Sequence, residues 1–429
     1  MKHRFKQVKL DSGSQGILVD IPGSTIVNME FTFMSGYEFV EQSKYEVPHS
    51  MEHLILGAND EYRTATAFSR EFGLNGARHN AYTDSVLNGY YAETADFEWD
   101  RIMKLFWTGL TTPKFLPSEF KTEQETVREE LSSRLMNYQL AANITLEQAM
   151  GDVYALDYKS RLDLLPGITT EDLHRHYQAT HSAPNMRFVV AGDLSDKRDD
   201  IIRILERSTR RLPDGERAQR PEQGLVKPLG PIVLAKDVDK TFFALKMGNI
   251  GELNERELVT LQLIAYTLAG SWDSRIFGKG REKGLLYSIH GRGGNSAGTT
   301  GLTLFGSVVP EKGKRLFKFI ADELAEFIRN GMTEDELRDA KQHNIGSFQI
   351  GFQTAQHMVN WYSRFFSYDD VFDFEARAAL IKSITRNDVQ RVIHKVMHTN
   401  TWGFAVLGKK MNEAKAEPFY KEIEKIWRT

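Results

Sequence analysis

His49, Glu52 and His53 stand within Pro48-His49-Ser50-Met51-Glu52-His53-Leu54-Ile55. On a helix, side chains four residues apart project to the same side, so the two imidazoles can offer two nitrogens to one metal ion. A glutamate on that side can take a proton from water that the metal has made more acidic. The order H-x-x-E-H is the inverted form of the zinc-peptidase motif H-E-x-x-H. Five residues alone are weak support, because short patterns recur by chance on amphipathic helices that carry surface histidines. A catalytic zinc site also needs a third protein ligand and an open coordination position.

The stretch from Pro117 to Leu131 reads as a helix with Phe120, Val127 and Leu131 on its apolar side. Glu123 and Glu130 lie two turns apart and project beside Val127, whereas Glu125 and Glu129 project outward. Glu130 is therefore the expected third ligand, and Glu123 a group that orients a ligand or shares a proton. Pro48 suits the first turn of the histidine helix and Gly57 its end, with Met51, Leu54 and Ile55 forming the stripe opposite the histidines. Ala77–Thr83, Asp84-Ser85 and Val86–Ala92 read as a hairpin. An exposed strand beside a metal can bind an extended peptide by backbone pairing.

These elements belong to a chain that repeats itself. Gly167-Ile-Thr-Thr-Glu-Asp-Leu, a helix and the strand Phe188–Gly192 recur as Ser383-Ile-Thr-Arg-Asn-Asp-Val, a helix and Phe404–Gly408. Ile168 and Ile384, Asp172 and Asp388, Arg175 and Arg391, and Gly192 and Gly408 are all 216 residues apart. Strand-like alternation and helical spacing mix in each half. We expect an α+β fold of two homologous α/β-roll-like domains, with mostly antiparallel sheets flanked by helices. The first domain is placed at 1–213 and the second at 230–429, joined by a polar, Pro- and Gly-broken linker over 214–229. The second half has Leu263, Tyr266 and Thr267 near the positions of the metal motif, so its expected part is to complete a substrate chamber.

At 429 residues the chain suits two domains. A net charge of −3 gives no electrostatic case for nucleic acid. No apolar run is long enough to span a bilayer. The absence of cysteine excludes thiolate ligands, a cysteine nucleophile and disulfides. A cytoplasmic compartment is expected, or a mitochondrial matrix if a presequence has been removed. The remaining histidines, among them His79, His174, His176, His181, His290, His343, His357, His394 and His398, read as surface or hydrogen-bonded residues.

With these motifs in place the chain resembles the pitrilysin and mitochondrial processing peptidase family, in particular its half-length bacterial members. In that family 76 residues separate the last motif histidine from the glutamate ligand, as they do here between His53 and Glu130. The family's additional glutamate, seven before the ligand, matches Glu123. Gly76-Ala-Arg-His-Asn-Ala-Tyr-Thr83 matches a further motif, in which Asn80 and Ala81 would pair with substrate. Arg281-Glu-Lys-Gly-Leu-Leu-Tyr287 resembles R-E-K-x-G-L-x-Y, but lacks one residue between Lys283 and Gly284. In the family that arginine and tyrosine bind substrate and stabilise the developing oxyanion.

The resemblance implies a zinc-dependent endopeptidase with one Zn2+ per chain. His49, His53 and Glu130 would be its ligands and Glu52 its catalytic base. It also implies a homodimer, or a heterodimer with a related half-length subunit, acting on peptide substrates. The alternative within the same fold is a non-catalytic or partner-dependent subunit of a processing-peptidase-like complex.

Overall fold

Val27, Met29, Phe31 and Phe33 alternate along one strand and are fully buried, which fixes one face of a sheet against helices. The computed structural model that shows this describes residues 2–296, 298–398 and 400–427. In the first half the strands are β1 (Arg4–Lys9), β2 (Gln15–Asp20), β3 (Ile26–Met34), β4 (Arg78–Thr83), β5 (Leu87–Ala95) and β6 (Met186–Gly192). The helices are α1 (Val47–Leu54), α2 (Ala65–Gly73), α3 (Trp99–Thr111), α4 (Pro117–Arg134), α5 (Tyr138–Ala149), α6 (Tyr158–Leu164), α7 (Thr170–Thr180) and α8 (Arg198–Thr209).

The second half repeats the series. Its strands are β7 (Ile232–Ala235), β8 (Thr241–Ile250), β9 (Ser288–Ser296), β10 (Thr299–Val308) and β11 (Trp402–Gly408). Its helices are α9 (Glu255–Ala269), α10 (Phe277–Glu282), α11 (Gly313–Asn330), α12 (Glu334–Gly351), α13 (Ala355–Phe366), α14 (Phe374–Ser383), α15 (Arg386–Val396) and α16 (Glu413–Glu424).

The first sheet has the order β1-β2-β6-β3-β5-β4 and the second β7-β11-β8-β10-β9. With β1 set aside they correspond strand for strand. The β2–β6 and β7–β11 pairs are parallel and every other pair is antiparallel. The expected α+β duplication with mostly antiparallel sheets is therefore the observed fold. Both halves even start α7 and α15 alike, with the capping boxes Thr169–Asp172 and Thr385–Asp388. Each capping aspartate also takes a cation: Lys44, just ahead of α1, reaches Asp172 at 2.7 Å, and Arg256 of α9 reaches Asp388 at 2.7 Å. In each half, then, the sequence repeat ties α7 or α15 to the region of the helix corresponding to α1.

The compact units are not continuous stretches of chain. One unit comprises residues up to 132, 159–220 and 349–373, and the other 133–158, 221–348 and 374 onward. Residues 213–228 carry neither helix nor strand. In the first unit, α13 from the second half lies across β6, β3 and β2, where Thr32 and Ser367 hydroxyls meet at 2.9 Å and Arg187 pairs with Asp369. In the second unit, α5 from the first half lies across β8 and β11. Leu146 and Met150 pack there on Ala244 and Ala405, so closely over Gly403 that a Cβ would meet Leu146 Cδ1 at 2.8 Å. The corresponding helices α5 and α13 are thus exchanged between the halves.

Candidate metal centre

Helix α1 follows Glu46 at its N-cap and carries Pro48 in its first turn, as its sequence predicts. Met51, Leu54 and Ile55 are buried in the core with Phe31, Phe106 and Tyr90, which leaves His49, Glu52 and His53 on the other side. The two imidazole centroids lie 5.1 Å apart. Helix α4 buries Val127 and Leu131, and this fixes the rotation of its glutamates. Glu130 Oε2 lies 3.4 Å from His49 Nε2, and Glu130 Oε1 lies 3.8 Å from His53 Nε2. Glu129 and Glu130 are both exposed, but only Glu130 belongs to this group.

One donor atom from each of His49, His53 and Glu130 lies within 4.8 Å of the others. Four ligands placed tetrahedrally at about 2.0–2.1 Å from zinc are about 3.3–3.4 Å from one another. The separations seen here match that spacing better than they match hydrogen bonds, which close to about 2.9 Å. The donor set, two nitrogens and a carboxylate, is also one that zinc takes in catalytic sites.

The far ring nitrogens are committed. His53 Nδ1 is 3.0 Å from Glu123 Oε2. His49 Nδ1 is 3.0 Å from Glu46 Oε2. A proton on each Nδ1, donated to a carboxylate, leaves each Nε2 with its lone pair toward Glu130. Glu46 is fully buried and receives Arg161 through both Nε and Nη2, while Arg161 Nη2 also donates to Tyr37 Oη at 2.8 Å. The guanidinium lies 4.7 Å from the Tyr37 ring centroid and 5.2 Å from that of Tyr45.

Burial alone would raise the pKa of Glu46, but the bonds from His49 and Arg161 outweigh it and hold the carboxyl below its ordinary range. Burial would likewise lower His49, yet Glu130, Glu46 and the charge of Glu52 raise it to about 9. A field that favours a proton on this ring also favours a divalent cation beside it. Glu52 is half-buried. Among the described residues no side chain or amide holds its carboxylate in a hydrogen bond or ion pair, so its oxygens remain available to a proton.

Glu46 and Arg161 did not emerge from the sequence reading. They are 115 residues apart, so no periodicity connects them. The one local signal is that Glu46 precedes His49 by three, one helical turn.

Asn80 and Ala81 lie on β4, the edge strand of the first sheet, which packs beside α1. The hairpin β4–β5 pairs Asn80 with Tyr91 and Ala81 with Tyr90. Ala81 N–H points away from β5, and the Asn80 side chain accepts from it at 2.9 Å. The pleat sends Tyr82 to the opposite face, where its hydroxyl donates to Glu30 at 2.7 Å and its ring covers Gly89. His79, read from the sequence as a surface or hydrogen-bonded histidine, instead stacks on Phe72 with centroids 4.1 Å apart.

Arg281 and Tyr287 belong to the second unit. Arg281 lies in the last turn of α10, donates to the Tyr287 carbonyl at 3.2 Å and lies over the rings of Trp272 (4.4 Å) and Tyr287 (5.2 Å). Tyr287 precedes β9 and is 74% exposed. The shortened segment therefore still brings the two residues together, with Trp272 as a further member of the cluster.

Two family models match this chain. The one described as Insulinase (Peptidase family M16) covers residues 31–159 and so includes His49, Glu52, His53, Glu123 and Glu130. The one described as Peptidase M16 inactive domain covers 167–344, which includes Arg281 and Tyr287 but none of the metal residues. An uncharacterized zinc protease of Rickettsia felis is 22% identical over 95% of this chain and 98% of its own. Among solved structures, a peptidase M16 inactive domain from Pseudomonas fluorescens superposes with a TM-score of 0.84 at 17% identity, over 96% of this chain and 99% of that one. A protease from Helicobacter pylori gives a TM-score of 0.82 at 16% identity, over 95% and 100%.

Proposed function

Because the chain belongs to peptidase family M16, the pitrilysin family of zinc peptidases, as a half-length member, we propose that it is a zinc-dependent endopeptidase that hydrolyses extended peptides or unfolded segments. The observation that carries this reading is the convergence of His49, His53 and Glu130 around one position, with the uncommitted Glu52 on the same side of α1.

His49, His53 and Glu130 would hold the zinc, which when bound would supply Lewis acidity toward a carbonyl and toward water. Glu52 would take a proton from the attacking water and pass it to the leaving amine. Glu123 and Glu46 hold the imidazoles with Nε2 turned inward. The peptide adds a strand at β4, with its carbonyl replacing the Asn80 side chain on Ala81 N–H. Backbone pairing of this kind requires an extended segment and tolerates varied side chains. Donation by Tyr287 and Arg281 to the developing oxyanion rests on the family resemblance alone.

As in half-length relatives, the working assembly is a homodimer or a heterodimer with a related chain. A cysteine-free composition suits a cytoplasmic setting. No helix among the described residues is long and apolar enough to cross a membrane. A purely non-catalytic role fits poorly with an intact donor set and base.

Glu52→Gln tests the reading. The variant should bind zinc as the wild type does and lose cleavage of an unfolded peptide by about 10²-fold or more. Retained cleavage would remove Glu52 from its role, and loss of zinc with the fold intact would place Glu52 among the ligands.

A further inference from the structure

We propose that Glu46 is a positioning residue for the metal centre, fixing the tautomer and rotation of His49 through its bond to Nδ1. The proposal rests on the zinc-peptidase reading above. Glu123 reaches His53 Nδ1 from α4 at 3.0 Å, whereas Glu46 reaches His49 Nδ1 from the start of α1 itself, at the same distance. Each imidazole thus has its own carboxylate, and neither ring is left to rotate about χ2. Arg161 in turn clamps Glu46, so the chain of contacts runs from Tyr37 through Arg161 and Glu46 to His49.

The duplication supplies an internal control. Arg161 and Arg377 are 216 residues apart, and each reaches the corresponding helix of its own half, Arg161 at Glu46 and Arg377 at Gln262. In the second unit Arg377 is again buried, and its Nη2 donates to Gln262 Oε1 at 2.9 Å, with Glu255 at 3.7 Å balancing its charge. The tie between this arginine and the helix corresponding to α1 therefore persists where there is no metal motif, and there it is made to the Gln262 amide and, at 3.7 Å, to the Glu255 carboxylate, neither of which faces a histidine ligand. In the first unit the partner is a carboxylate that also accepts from an imidazole. Docking alone explains the contacts of Arg377 with Gln262 and Glu255. The second acceptor function, turned to His49, is what the metal-bearing half adds.

The test compares wild type, Glu46→Gln and the double variant Glu46→Gln/Arg161→Met, which removes both buried charges together. Zinc affinity is measured by competition with a chromophoric chelator, and the melting temperature is measured on the zinc-free proteins. We expect zinc to bind about tenfold or more weakly in both variants. The double variant should melt within a few degrees of wild type, so the loss tracks orientation of His49 and not the fold. Affinity within twofold of wild type in either variant would overturn the proposal. Recovery in the double variant alone would show that Glu46 only balances Arg161. Absence of zinc binding by the wild type would sink the peptidase reading as well. Normal zinc binding and cleavage by the wild type, with unchanged affinity in the variants, would sink this proposal alone.

Discussion

Glu129 and Glu130 are chemically identical neighbours, and the rotation of α4 separates them. Val127 and Leu131 set that rotation by burial, which turns Glu130 toward both imidazoles and keeps Glu129 out of the donor group. Glu130→Gln should lower zinc affinity heavily, as loss of one of three protein ligands, whereas Glu129→Gln should stay within about 0.5 kcal/mol in stability and keep the metal. Zinc titration of the two variants separates them, and equal effects would contradict the assigned helix register. A second single-residue effect lies away from the metal. His176 is buried with its Nε2 on the Ser35 carbonyl at 2.8 Å, and burial lowers its pKa to about 4. The unfolded chain, with histidine near 6.5, binds the extra proton more readily between those values. This residue's contribution is therefore complete above about pH 6.5 and is lost as pH falls toward 4, by roughly 3 kcal/mol. His176→Gln should flatten the fall in melting temperature across that window, and an unchanged slope would show that the group does not control it.

Strand β4 is the element on which the substrate proposal depends. Ala81→Pro removes the outward N–H that Asn80 now caps without removing a β4–β5 bond, and proline is tolerated on sheet edges. It should raise KM for unfolded peptides several-fold while zinc content stays at the wild-type value. Unchanged peptide kinetics would place substrate elsewhere. At this scale much was legible in the sequence. The stripe Met51–Leu54–Ile55 and the pair Val127 and Leu131 define two helices whose opposite sides hold the proposed site, because helical period and burial fix direction. The hairpin at Asp84-Ser85 and the repeat from Ile168 to Gly192 follow from local pattern for the same reason. What stayed hidden needed three dimensions. Glu46 and Arg161 meet only once α6 folds back, and an apolar stripe on α5 or α13 says that a face is covered without saying which sheet covers it.

The duplicated chain as a whole is proposed to act on segments that can be drawn out as a strand. An unfolded polypeptide should then be cut while a stably folded protein of the same sequence survives, and equal cleavage of the two would argue against strand addition. Size-exclusion chromatography with light scattering should return twice the chain mass, 49.0 kDa for one copy, if a homodimer forms. A single-copy mass for the isolated protein would leave the related-chain heterodimer as the assembly to be reconstituted. The most direct measurement of the central claim is cleavage of an unfolded peptide by the purified chain, read by mass spectrometry, before chelation, after it and after zinc is restored. The account predicts internal cleavage that disappears with the metal and returns with one zinc per chain. Cleavage that persists in a chain shown to be free of metal would contradict it.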